Sequence, residues 1–107
     1  MGREITTATV IRRIPELSYN VLSQWVRAEW LKPMKGPGYN NGYRIFPEEQ
    51  YVKAKYMAFL VYKLGFQANT ASDIADLAIK RDQVHRGLVW VQYRNSVLGI
   101  PDLESEN

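Results

Sequence analysis

The chain contains no cysteine and a single histidine, His85. Disulfide staples, thiolate metal sites and nucleophilic thiols are excluded, and so is any metal site built from several imidazoles. A Ser-His-Asp arrangement could form only around His85, in a segment without a nucleophile-elbow motif. Neither common phosphate-binding glycine loop occurs. An acidic pair on a helix, Asp73 and Asp76, is explained by attraction to the positive end of the helix dipole. These absences argue against an enzyme, a metal or a cofactor. No apolar run approaches the roughly 18 residues of a membrane span, and the N-terminus lacks the apolar stretch of a signal peptide.

Acidic residues are scarce in the front half. Residues 12–63 hold nine basic and four acidic residues, an excess of five positive charges, whereas residues 81–107 hold three basic and four acidic. A basic front and a near-neutral tail suit a polyanionic partner for the front alone. The length of 107 residues, 46% of them hydrophobic, is enough for one modest core.

Helical spacing dominates the first 80 residues. Residues 6–14 form a short predicted helix with Val10 and Ile14 on one face, ended by Pro15. Ser18 is a good N-cap for a second helix, whose apolar stripe is Leu22, Trp25 and Val26. Asn20, Gln24 and Arg27 fall on the opposite side, and Pro33 stops the helix. Two short helices about four residues apart give the outline of a helix-turn-helix.

Residues 35–46 break this pattern. Asn41-Gly42 is a favoured type I′ turn pair, and Tyr43-Arg44-Ile45-Phe46 alternates as a returning strand would. A turn at residues 36–38 is the alternative. Pro47 opens a third helix with Glu48 and Glu49 in its first turn, and Val52, Tyr56, Phe59, Leu60 and Leu64 follow at helical spacing. Gly65 marks its stop. Thr70 and Asp73 resemble a capping box for a short fourth helix.

Beyond residue 81, two readings compete. LVWVQY has strand propensity. Val84, Leu88, Val91, Asn95 and Leu98 also recur at alternating steps of four and three, a heptad-like seam with one asparagine to fix its register. Gly87 counts against the helix by roughly 1 kcal/mol. The expectation is a helix, with these five residues as a dimer interface and a frayed tail after Pro101.

The order of these elements resembles the MerR-like winged helix-turn-helix family. The residues that carry the resemblance are Ser18, Val21, Leu22, Ser23, Trp25, Leu31 and Pro33, then Gly42-Tyr43-Arg44, then Leu64-Gly65-Phe66, spread over residues 6–80. Two positions depart from the family pattern. Ser23 stands where an arginine is usual, which withdraws one expected phosphate contact. Glu29 stands where a glycine is usual, which implies a reshaped exit from the second helix.

The expected fold is therefore mostly α. A winged helix-turn-helix domain with a small β-hairpin wing occupies residues 1–80, and a helical dimerisation segment with its tail occupies residues 81–107. The resemblance implies a small, cytoplasmic, nucleoid-associated transcriptional regulator that binds double-stranded DNA as a homodimer. The chain ends too soon for a small-molecule effector domain, and a phage-excisionase-like DNA-bending factor is the neighbouring alternative. A protein-interaction module that has lost DNA binding is the third.

Candidate DNA-binding residues are Arg12, Arg13, Ser18, Tyr19, Asn20, Ser23, Gln24, Arg27, Lys35, Tyr43 and Arg44. Asn and Gln can bond an adenine edge through two hydrogen bonds, and Arg can grip guanine or phosphate. Lys32 could extend the phosphate track. Lys53 and Lys55 are expected to be solvated. Trp25 is expected in the core, and Trp90 either in a dimer interface or in the core of the protomer.

Overall fold

A computed structural model of the chain describes residues 5–34 and 44–104. A strand, β1 (Ile5–Thr6), leads directly into α1 (Thr7–Arg13), and α2 (Tyr19–Arg27) follows. The chain returns in β2 (Ile45–Phe46), continues through α3 (Glu48–Tyr62) and α4 (Ala68–Ala78), and ends in β3 (Val84–His85), β4 (Leu88–Tyr93) and β5 (Ser96–Pro101). Among the described residues, four helices and two small antiparallel sheets make this a mixed fold and not the mostly α one expected.

Local chemistry accounts for most of the helix boundaries. Thr6 caps α1 by accepting the Thr9 N–H at 3.2 Å, and Ser18 caps α2 by accepting the Val21 N–H at 3.1 Å. Pro47 precedes α3, where Glu48 and Glu49 sit in the first turn as predicted. Gly65 takes a left-handed φ of 82° just past α3, and the Phe66 N–H returns to the Leu60 carbonyl at 3.0 Å. α4 starts earlier than the predicted capping box, after Gln67 and with no side-chain cap. Thr70, Asp73 and Asp76 therefore lie within the helix.

α3 is the central element. It buries Val52, Tyr56, Met57 and Leu60 together with Tyr51, Ala54 and Ala58 on other sides, so little of it faces water. Leu64, predicted to extend its stripe, is 50% exposed. Trp25 and Leu22 from α2, Phe46 from β2, Ile74 from α4 and Val89, Val91 and Ile100 from the sheet join one hydrophobic core.

The most consequential correction concerns residues 81–101, which form a three-stranded antiparallel meander and not a helix. Arg86 and Gly87, with φ of 57° and 78°, supply the two left-handed positions of a type I′ hairpin turn between β3 and β4. Arg94, with φ 57°, turns β4 into β5. Val89, Val91 and Ile100 are buried, while Trp90 and Gln92 face outward in strict alternation. The supposed seam is thereby dispersed. Val91 is buried within the protomer, Leu98 packs partly on the same core, Asn95 sits in the turn, and Val84 and Leu88 lie on paired strands with Val84 39% exposed. Trp90 lies on the outer face against Gly99, where an added Cβ would come within 2.9 Å of its ring.

The chain beyond Pro101 is fastened and not frayed as far as Glu104. The Leu103 N–H donates to the Tyr56 hydroxyl at 3.3 Å, and its carbonyl accepts from Lys55 at 2.8 Å. Arg81, itself left-handed at φ 53°, bonds Asp102 and reaches Glu104 at 3.4 Å. The hydrogen bond to Asp102 holds the Arg81 guanidinium above its ordinary value. Lys53 is not solvated either: it is 5% exposed and paired with Asp76 at 2.9 Å, its stem buried and its ammonium at the surface carboxylate.

The exit from α2 is a Schellman turn in which Glu29 occupies the left-handed position at φ 66°. Trp30 N–H bonds the Trp25 carbonyl and Glu29 N–H bonds the Val26 carbonyl, each at 3.0 Å. Glutamate thus adopts the glycine-favoured conformation. A left-handed L-residue costs roughly 1–2 kcal/mol, partly offset by the entropy glycine would lose. Glu29→Gly is expected to stabilise the fold by about 0.5–1 kcal/mol, read as a raised urea midpoint at constant slope. An unmoved or lowered midpoint would contradict this.

Burial pushes the Tyr56 phenol above the ordinary tyrosine value of 10.0, opposed in part by the Leu103 N–H bond. The folded state therefore retains the neutral phenol where the unfolded chain ionises. Stability is intact below pH 10 and falls as pH rises through the higher folded value. Tyr56→Phe should cost about 1 kcal/mol at neutral pH and flatten the alkaline limb of the stability curve. An alkaline limb identical in the variant would rule out Tyr56 as its source.

Candidate nucleic-acid interface

The site is built on α2 because that helix has two unlike sides. Leu22 and Trp25 are fully or almost fully buried and fix its roll, which leaves Tyr19, Asn20, Gln24 and Arg27 exposed. Ser18 spends its hydroxyl on the cap, so it orients the first turn and has that much less to offer a ligand. Ser23 lies at the border of the two sides and is only 6% exposed.

Arg44 reaches this helix from a distant part of the chain. Its carbonyl accepts the Thr7 N–H at 3.3 Å, and the next residue, Ile45, accepts the Met34 N–H at 2.8 Å. β2 pairs with β1 in antiparallel register, Ile5 with Phe46 and Thr6 with Ile45. Ile45 and Phe46 are both buried, so neither side of this short strand faces water. So anchored, Arg44 extends its guanidinium to Ser23, with Nη1 3.3 Å from Oγ.

Tyr19, Asn20, Ser23, Gln24, Arg27 and Arg44 together line one shallow depression of about 450 Å³. Among the described residues its lining carries two guanidinium groups, two amides, two hydroxyls and no carboxylate. Such a surface offers charge for phosphates and paired donors and acceptors for base edges. Among its described residues no nucleophile–base pair is placed.

The remaining candidates lie elsewhere or beyond description. Arg13 stands over the Tyr51 ring at 5.7 Å and lines a separate small groove with Lys55, Lys63 and Leu103. Arg12 is exposed at the end of α1. Lys35 and Tyr43, together with the Asn41-Gly42 turn of the expected wing, fall outside the described residues. The described residues on either side of that segment are joined by the Met34 N–H bond to the Ile45 carbonyl. Lys32 is exposed, its N–H held by the Gln50 side chain at 2.8 Å.

Sequence reasoning missed the partner that Ser23 provides for Arg44, since the two are 21 positions apart. A small hydroxyl on an otherwise large or long helix face was the available signal. Asp73 and Asp76 are engaged structurally, Asp73 with the Tyr93 hydroxyl at 3.4 Å and Asp76 with Lys53. Among the described residues no group of three His, Asp or Glu side chains is placed to hold a metal ion, and no helix is long and apolar enough to cross a membrane. Comparison with protein-family models, curated proteins and solved structures finds no match to the chain.

The Ser23–Arg44 bond is long and half-exposed, so its worth is modest. A double-mutant cycle of Ser23→Ala and Arg44→Ala should give a coupling of about 0.5–1 kcal/mol in urea unfolding. Additive losses would mean that the hydroxyl does not hold the guanidinium.

Proposed function

We propose that the chain is a small, sequence-specific duplex-DNA-binding protein, a winged helix-turn-helix regulator of MerR-like type. In this reading α1 and α2 form the helix-turn-helix, α2 enters the major groove, and the segment ending at Arg44 flanks it as the wing. The observation that carries the reading is one depression shared by the outward side of α2 and Arg44, with no carboxylate among its described lining residues. The charge excess of residues 12–63 supports it, and so does the order of the family-like residues. A cytoplasmic, nucleoid-associated protein follows from that role.

One observation favours the excisionase-like architectural factor as the second reading. Of the residues expected to pair two copies through a helix, Val91 is committed to the core of the protomer and Leu98 packs partly against it. That removes the helical route to a homodimer and suits copies that meet only along DNA. Light scattering separates the two: a homodimer of the free protein supports the MerR-like regulator, and a monomer supports the architectural factor.

Both readings require phosphate contacts. Binding to random-sequence duplex should weaken steeply with salt, and Arg44→Ala should lower affinity for all sequences alike while reducing the log–log salt slope by about one unit. An unchanged slope would remove Arg44 from the contact set. Salt-independent or undetectable binding would favour the protein-interaction module instead.

A further inference from the structure

The depression on α2 also carries an assignment of base preference, which rests on the duplex-DNA reading above. Its groups are not equivalent. Ser23 is nearly buried and bonded by Arg44, and Tyr19 at the first helical residue presents a single hydroxyl. Arg44 is tied to the Ser23 hydroxyl, and Arg27 stands in the last turn of the helix. Recognition helices read bases chiefly with their N-terminal residues, so these two cations suit the phosphates on either side. What remains for base edges is Asn20 and Gln24, both exposed.

Each of the two carries a donor and an acceptor on one flat amide, the pair that adenine presents in reverse through N7 and N6 in the major groove. A guanine edge offers two acceptors there and leaves the amide carbonyl opposed. Four positions apart, Asn20 and Gln24 lie on one side of α2, displaced by about 6 Å along its axis. Base pairs stack at about 3.4 Å, so that displacement spans about two steps. We infer that Asn20 and Gln24 each read an adenine, and that the two adenines lie about two base pairs apart within one half-site.

The test is selection from randomised duplexes by the full chain and by Asn20→Ala, Gln24→Ala and Arg44→Ala variants, followed by affinity measurement on the selected sequences. The full chain should enrich adenine at two positions about two base pairs apart. Each amide variant should lose one of those preferences and keep the other, with discrimination at the lost position falling about five- to 150-fold. Arg44→Ala should keep both preferences while binding every sequence more weakly. Because both amides are exposed, their variants should melt as the parent does. Duplex binding without adenine enrichment, or with enrichment unchanged in both amide variants, overturns the assignment and leaves DNA binding standing. Absence of binding to any duplex overturns the DNA-binding reading as well.

Discussion

The arrangement of the candidate site depends on a ladder only two residues long. Ile5 and Thr6 pair with Phe46 and Ile45, and the first residue of α1 bonds the carbonyl of Arg44. An isolated ladder of that size has no stability of its own in water. Here it is sealed by burial, since Ile5, Ile45 and Phe46 are each less than 5% exposed. Tertiary packing therefore fixes the backbone at residue 44, and the fixed backbone delivers a guanidinium to Ser23. Without that anchoring, α2 would present amides and one arginine, and the cationic groups flanking it would be halved.

Much of the front half was legible because its signals are local. Ser18 is a cap, Pro47 and the two glutamates announce α3, and the alternation of buried Leu22 and Trp25 with exposed Asn20, Gln24 and Arg27 sets the roll of α2. The last third was misread because two periodicities overlap in it. Val84, Leu88, Val91 and Leu98 fit helical steps, yet Val89, Val91 and Tyr93 alternate with Trp90 and Gln92 just as well. The arbiter was Gly87, whose left-handed conformation with Arg86 makes a hairpin turn where a helix would only be weakened. Arginine in such a turn carries no strong sequence signal, unlike Asn-Gly. Long-range pairings were invisible for a different reason. Lys53 with Asp76, Tyr56 with Leu103 and Arg44 with Ser23 depend on how elements pack, which spacing along the chain does not encode.

Two features show local preference yielding to the whole fold. Glu29 accepts a left-handed backbone so that Trp30 and Leu31 can turn back onto the Trp25 carbonyl. Leu31 is then buried, and the chain is aimed toward Met34 and its bond to Ile45. The strain at one residue thus closes the connection between the candidate recognition helix and the strand that carries Arg44. At the other end, the meander covers α4 and the segment from Asp102 to Glu104 is drawn back to α3 through Lys55 and Tyr56. Val91, which would have joined two copies on a helix, instead completes the core of one.

The central claim is that the outward side of α2 and Arg44 act as one surface toward DNA. Amide chemical-shift mapping of the labelled protein on addition of a short duplex tests it most directly. The account predicts perturbations concentrated in Tyr19–Arg27 and at Arg44, with the outer sheet face around Trp90 and Val97 unmoved. Perturbations centred on that sheet face, with α2 silent, would contradict it.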